Sequence, residues 1–321
     1  MKLNILVTGG FGLLGKPLVH KLIRLKHNVI ILEKKSTDRI KFLELKPKKI
    51  IAGNFLNKVL VGKILKEYNI NVVFHLGAIT QVLDSLKDPY QTHQVNITGT
   101  INFLENIRKQ NPKIIFIYSS SDKAYGELNK RKFYTEKDCL RSDYPYDVSK
   151  SASDLICQSY SKSYNLKVGI IRCGNIFGPG DFNLKRLIPE VILSTLKKKN
   201  FVIRSNGKST RDYVYVEDVV RAYILLMNKL LSSPVKLRTY NVSSNFNYSV
   251  KDVVSIVLKF MNAKNLNPII MNNSKQEINF QRLNYSKIIK ELKWKPKIKI
   301  QEGIIDTINW YKKYYKYLKK K

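Results

Sequence analysis

Three observations predict an α/β protein with a doubly wound parallel sheet and a smaller α/β region after it. Short apolar runs rich in β-formers alternate with helical patterns from the amino terminus onward, and short connections between them argue for parallel strands covered by helices on both faces. The first run leads directly into a glycine turn, Gly9-Gly10-Phe11-Gly12-Leu13-Leu14-Gly15. A later one, Ile114 to Tyr118, ends in hydroxyls and charges, Ser119-Ser120-Ser121-Asp122-Lys123. The 321 residues suit roughly two domains at about 150 residues each, and the 44% hydrophobic content is enough for a substantial core.

The first strand is Leu3 to Thr8, and a helical pattern through Leu18, Leu22 and Leu25 follows the glycine turn. Gly9 allows the tight turn, Gly12 lets the backbone approach a pyrophosphate, and Gly15 permits close helix packing, while the helix amino terminus offers amides and positive dipole to phosphate. The second strand, Asn28 to Leu32, ends in Glu33, 18 residues past Gly15, where an acid can accept hydrogen bonds from an adenosine ribose. An acid there favours NAD over NADP. Lys34 and Lys35 qualify that preference, because an adjacent cation accommodates a 2′-phosphate.

Lys49 to Asn54 reads as the third strand, a helix runs through Leu60, Ile64 and Leu65, and Val72 to Ala78 is the fourth strand. His75 reads as a packed strand-end histidine rather than a catalyst. A helix from about His93 to Gln110, with Asn96 in a polar role near a cofactor or strand, leads through Pro112 to the Ile114 strand. Beyond it, Tyr146-Asp147-Val148-Ser149-Lys150 places a phenol and an amine one helical turn apart. Tyrosine alone is a poor base, with an ordinary pKa of about 10, but a neighbouring ammonium favours phenolate. Ser121, 25 residues earlier, can bond the same alcohol oxygen. The bare spacing is weak in a chain so rich in lysine and tyrosine.

The charge is lopsided: 58 Lys and Arg against 24 Asp and Glu give +34. A polyanion-binding protein, holding nucleic acid or an acidic membrane face, is one reading of it. The lysines are spread through every segment and no nucleic-acid module is recognisable, so a solvated lysine-rich surface is preferred, with no nucleic-acid or membrane partner. No apolar run reaches membrane-spanning length, and Met1 to Ile5 leads into a strand rather than a signal peptide; a cytoplasmic location is expected. Cys139, Cys157 and Cys173 are odd in number and lack ligand spacing, which argues against both a disulfide framework and a metal site.

Four ordered motifs together resemble a known family. Thr8-Gly9-Gly10-x-Gly12-x-x-Gly15, Ser119-Ser120-Ser121 with Tyr125-Gly126, Tyr146-x-x-x-Lys150, and Arg172-Cys173-Gly174-Asn175-Ile176-Phe177-Gly178-Pro179-Gly180 look like the extended short-chain dehydrogenase/reductases that act on nucleotide sugars. The likeness continues through Arg211 to Val219, Leu292 to Pro296 and Trp310-Tyr311, nearly the whole chain. It implies a Rossmann-type dinucleotide-binding domain over 1–171. Residues 172–321 would form mainly a substrate-binding domain, with segments near 217–242 returning to the first. It implies NAD held by Gly9, Phe11, Gly12, Leu13, Gly15, Glu33, Asn54, Phe55, Leu76, Gly77, Ala78 and Asn96, together with Tyr146 and Lys150. Asn175, Arg204, Arg211 and Arg282 are the candidates for a nucleoside diphosphate, Arg211 foremost, and a homodimer through helices around 94–108 and 146–163 is implied. Three positions depart from the pattern: Gly77 replaces the usual alanine, Glu33 the commoner aspartate, and Asn54 an aspartate near adenine.

The resemblance implies that Tyr146, Ser121 and Lys150 oxidise C4 of a hexose. The fate of the resulting ketone depends on Asp122 and Lys123, which are similar to the acid and base of CDP-glucose 4,6-dehydratases. Dehydration to a 4-keto-6-deoxy sugar is the reading adopted; 4-epimerisation and release of the 4-ketone stay open. Dehydration needs Asp122 protonated and Lys123 neutral, whereas a charged Lys123 beside Asp122 would hold the carboxyl ionised.

Overall fold

The computed structural model describes residues 1–34, 42–127, 133–203, 205–244, 247–263, 265–272 and 281–318. Seven strands form the main sheet: β1 (Asn4–Thr8), β2 (Asn28–Glu33), β3 (Lys49–Ala52), β4 (Val72–His75), β5 (Ile115–Ser119), β6 (Val168–Cys173) and β10 (Leu237–Val242), in the order β10-β6-β5-β4-β1-β2-β3. Every neighbouring pair is parallel, so the expected doubly wound sheet is present.

The period-two alternation of the strands builds two cores. On one face Ile5, Val7, Val29, Ile31 and Phe74 pack with Leu18 and Leu22 of α1 (Gly15–Arg24) and the apolar stripe of α8 (Val216–Ser232). Ile288 of α10 (Ser286–Leu292) closes that face. On the other, Leu6, Ile30, Val73 and Phe116 meet Ile64 of α2 (Lys58–Glu67), Phe103 of α5 (Gly99–Gln110) and Cys157 of α6 (Pro145–Tyr164). The strand order reverses between β1 and β4. Ligands of such sheets bind outside the carboxyl ends of the strands at that point.

The helix expected from about His93 is one continuous rod in three parts. Helix α4 (Pro89–His93), which follows α3 (Val82–Lys87), passes through a wide π turn, Gln94–Thr98, into α5. Helix α6 opens with Pro145, whose fixed φ suits a first helical position, and ends where Asn165 turns left-handed (φ 57°).

The remaining elements make a second lobe. It has a three-stranded sheet, β11 (Asn247–Ser249), β9 (Thr210–Tyr215) and β7 (Asn175–Phe177), and a pair of short strands, β12 (Ile269–Ile270) and β8 (Val202–Ile203). Helices α7 (Leu187–Leu196), α9 (Val250–Phe260) and α11 (Ile300–Leu318) bury Val191, Val253, Val257, Ile304 and Tyr311 against them. Among the described residues no helix is long and apolar enough to cross a membrane, and no cluster of His, Cys, Asp or Glu could hold a metal ion. All three cysteines are free.

Candidate active site

A cavity of about 950 Å3 runs from the glycine turn, along the carboxyl ends of the central strands, to the second lobe. Gly9, Gly12, Leu13 and Gly15 line one end together with Glu33. Gly9 has φ +68°, a conformation open to glycine at little cost. A Cβ on Gly15 would fall 2.0 Å from the Gly9 carbonyl, so this residue lets the helix close on the turn. The first turn of α1 has no side-chain cap among the described residues and Leu13, Leu14 and Gly15 border the cavity, which leaves helix amides for a phosphate. A glycine cradle, free helix amides and a carboxylate beyond them fit a dinucleotide.

Thr8 braces the next stretch. Its hydroxyl accepts from the amides of Leu76 (3.1 Å) and Gly77 (2.9 Å) and pairs with His75 Nδ1 at 2.9 Å. His75 is fully buried, and burial followed by the Lys150 charge holds it down to about 3, so it is a neutral packing residue. Leu76, Gly77 and Ala78 line the cavity. Asn54 instead caps its own turn, accepting from Leu56 N at 3.0 Å, and Phe55 stands edge-on to His75 at 5.2 Å. The glycine at 77 has a local cause, for an alanine Cβ there would lie 2.9 Å from the Phe55 ring. Phe11 is buried in the core. Asn96, in the π turn, accepts from Ile79 N (2.8 Å) and donates to Ile79 O (3.0 Å) and Ser149 Oγ (2.8 Å), tying the cavity wall to α6.

Ser119, Ser120, Ser121, Lys123, Tyr146 and Lys150 converge on the middle of the cavity. Ser121 starts a short 3-10 turn, Asp122–Tyr125; its hydroxyl accepts from Lys123 N (3.2 Å) and donates to Asp122 Oδ1 (3.0 Å). Burial pushes the Tyr146 phenol above its ordinary pKa, a Ser121 hydrogen bond pulls it back, and the charges of Asp147 and Asp122 push it further up. The expected dominance of Lys150 over the phenol is therefore replaced by burial. Lys150 donates from Nζ to the Ser119 carbonyl at 2.7 Å and lies 5.0 Å over the Tyr118 ring, and burial lowers its pKa to about 8. Asp122 is 2% exposed, and its Oδ2 has no hydrogen-bond partner among the described residues. Burial raises its pKa; Lys123, Ser121 and Arg211 act against that.

Asn175 lies on the far wall. Arg211, on β9 and the foremost candidate for the diphosphate, does not line the cavity; it is buried, donates to the Thr210 carbonyl at 2.9 Å, and its charge reaches Asp122 and Asp147. Arg282 does not line the cavity; its guanidinium lies 5.7 Å over the Phe133 ring. Arg204 and Lys35 lie outside the described residues. The structure adds Arg186, which lines the cavity, pairs with Asp181 at 3.1 Å and reaches Thr80 Oγ1 at 3.5 Å. Its ion-pair partner lies five residues earlier in the same segment, whereas its reach to Thr80 crosses the cleft and leaves no local pattern.

A parallel sheet with a dinucleotide turn, and a serine-tipped strand facing a Tyr-x-x-x-Lys helix, defines a nicotinamide-dependent enzyme that works on a carbinol. The sequence pattern of the NAD dependent epimerase/dehydratase family matches residues 5–243, and the chain belongs to that family. It is similar to a dTDP-D-glucose 4,6-dehydratase of Dictyostelium discoideum, 31% identical over 96% of this chain and 81% of that one. A putative UDP-glucose 4-epimerase of Methanocaldococcus jannaschii is 30% identical over 96% and 98%. Among solved structures, the UDP-glucose 4-epimerase of Thermotoga maritima with UDP-glucose superposes with a TM-score of 0.89 at 27% identity, covering 97% of this chain and 99% of that one. The dTDP-glucose 4,6-dehydratase of Bacillus anthracis in complex with NAD gives 0.87 at 26%, covering 99% of each.

Proposed function

We propose that this protein is a cytoplasmic nucleotide-sugar 4,6-dehydratase, converting an NDP-hexose to the 4-keto-6-deoxy sugar with release of water. The reading rests on the Asp122-Lys123 pair: the carboxyl is buried with one oxygen unpartnered among the described residues, and the lysine stands on the cavity wall. Relatives named as dehydratases support it. Three free cysteines agree with a reducing compartment.

Tyr146 takes the proton of the C4 hydroxyl while Ser121 donates a hydrogen bond to the same oxygen. Lys150 anchors the helix to Ser119 and supplies positive charge near the reacting oxygen. The glycine turn and Glu33 would hold NAD, which would supply the hydride acceptor for C4 and the hydride donor for C6. The C4 ketone acidifies the C5 hydrogen, which Lys123 removes as a proton; Asp122 gives its proton to the C6 hydroxyl, the C6–O bond breaks to release water and leaves a C5–C6 double bond, and Lys123 returns its proton to C5 as C6 gains hydride. The raised pKa of Asp122 suits an acid. Asn175 and Arg186, on the cavity wall, recognise the nucleoside diphosphate.

A 4-epimerase is the second reading, favoured by the likeness to the Thermotoga maritima enzyme. Incubation with UDP-, dTDP- and CDP-glucose, followed by NMR and mass spectrometry, decides. Loss of one water with a 4-keto-6-deoxy product is expected; inversion at C4 with the water retained, or accumulation of the hexose ketone, would overturn the assignment. We also propose a homodimer through α5 and α6, supported by the exposed Leu155 and Tyr164 on α6; a monomer in gel filtration would refute it.

A further inference from the structure

Tyr118 takes no part in the mechanism above, yet it directly precedes the serine whose carbonyl holds Lys150. Side chains alternate along β5, so Phe116 and Tyr118 share the core beneath α6 with Cys157. There the Lys150 ammonium lies over the Tyr118 ring, 5.0 Å from its centre, within reach of a cation–π contact. The ring is held in place: it is 2% exposed and stacks on His75 at 6.3 Å and 30°. Lys150 is 4% exposed, and the Ser119 carbonyl is its only hydrogen-bond acceptor among the described residues. An ammonium has three donors, so this one enters the core short of acceptors. We propose that Tyr118 is a positioning residue whose ring face, rather than its hydroxyl, seats the Lys150 ammonium one turn from Tyr146 and keeps it charged.

The Tyr118 hydroxyl contributes little. Its oxygen is buried with no hydrogen-bond partner among the described residues, and the nearby Ser153 hydroxyl donates instead to the carbonyls of Asn96 (2.9 Å) and Ser149 (2.8 Å). Burial pushes the phenol well above its ordinary pKa, so it stays neutral and offers Lys150 no anion. What it turns toward the cation is the electron-rich face of the ring. The other groups around Lys150 leave that face a part to play. On α6, Asp154 and Cys157 act to raise Lys150 against the larger effect of burial. The Asp154 carboxylate is already engaged by Arg172 of β6, through Nε and Nη2 at 2.9 Å each. His75 of β4 is neutral, and the Asp122 and Lys123 charges of the 3-10 turn fall on Tyr146 and Asp147. Core filling alone would need no face aimed at Nζ, and any side chain of the same size would serve it.

The inference rests on Lys150 serving the phenol at C4, a step shared by dehydration, epimerisation and release of the ketone, so the fate of the sugar does not bear on it. Tyr118→Phe keeps the face and drops the hydroxyl. Phenylalanines of rising fluorine content, placed at 118, draw charge out of the ring with little change of size. Reduction of bound NAD by UDP-glucose or dTDP-glucose, whichever reacts, is followed against pH in each variant. Loss of the Lys150 proton, at about 8 in the natural chain, sets the alkaline limb. That limb should keep its place in Tyr118→Phe and move acidward stepwise with fluorination, by about one pH unit for the fully fluorinated ring. A core filler would leave the limb in place whatever the rate. A second measurement needs no turnover: near neutral pH the fully fluorinated ring should lower the urea midpoint of the natural chain but not that of Lys150→Met. Should neither sugar react, the assigned chemistry fails, and the unfolding pair still decides the role of the ring. A limb unmoved through the series, or a midpoint that falls equally with and without Lys150, overturns the proposal.

Discussion

The Lys150 ammonium donates to the carbonyl of Ser119 at 2.7 Å, joining the helix that carries the phenol to the last residue of the strand that carries the serines. The bond makes Lys150 an anchor as well as a charge. Tyr146→Phe removes the proton acceptor alone and should lower kcat by about 10³-fold, with NAD binding and Tm little changed. Lys150→Met should lower kcat and also Tm, because it strips the half-buried Ser119 carbonyl of its donor at a cost of about 1 kcal/mol. Steady-state kinetics with thermal unfolding of both variants checks the split. Equal melting temperatures for the two variants would reduce Lys150 to its charge.

The buried, neutral His75 links stability to pH. Its pKa in the folded chain, about 3, lies below the ordinary 6.5. The unfolded chain therefore binds a proton that the folded one refuses. Its contribution to stability is complete above pH 6.5 and is lost as pH falls toward 3, with slope set by that one proton. Over the window the effect is on the order of 5 kcal/mol. Urea unfolding from pH 7 to pH 4 should show a shallower loss in His75→Gln than in the natural chain. Parallel curves would mean that His75 protonates while folded.

The doubly wound sheet was legible because strands buried on both faces leave apolar runs, and helices between them leave a different period. The glycine turn was legible because Gly9 and Gly15 answer to backbone geometry alone. Ser121, Tyr146 and Lys150 could be picked out as a set only because several motifs stood in order. Side-chain partnerships across the fold were not legible. The π turn that aims Asn96 at Ile79 and Ser149 has no local signature, and the reach of Arg186 to Thr80 depends on how the second lobe folds over the first. The raised pKa of Tyr146 also escaped, because spacing reveals a nearby lysine but not the burial that outweighs it.

Gly77 illustrates the same limit. The family's usual alanine would place a Cβ 2.9 Å from Phe55 and 3.1 Å from the Thr8 hydroxyl, so glycine here is matched to the bulky ring at 55. Gly77→Ala should destabilise by about 1–3 kcal/mol through overpacking and weaken NAD binding by displacing the cavity wall. Phe55→Leu should relieve much of that loss when combined with it. A double-mutant cycle by denaturant unfolding measures the coupling, and additive losses would show that the ring has no part in the choice of glycine.

Asp122 and Lys123 divide the proposed chemistry into separable steps, because oxidation at C4 needs only Tyr146, Ser121 and Lys150. Replacing Lys123 by alanine removes the proposed base and leaves the phenol and its anchor in place. With a nucleotide sugar that turns over, Lys123→Ala should still reduce bound NAD, seen as absorbance of the reduced nicotinamide, yet fail to exchange the C5 hydrogen with solvent deuterium. Asp122→Asn should retain that exchange and lose elimination at C6, with overall turnover falling about 10²- to 10⁴-fold in both variants. If C5 exchange persists unchanged in Lys123→Ala, Lys123 is not the base, and the buried Asp122 carboxyl beside it becomes the group to examine for both roles.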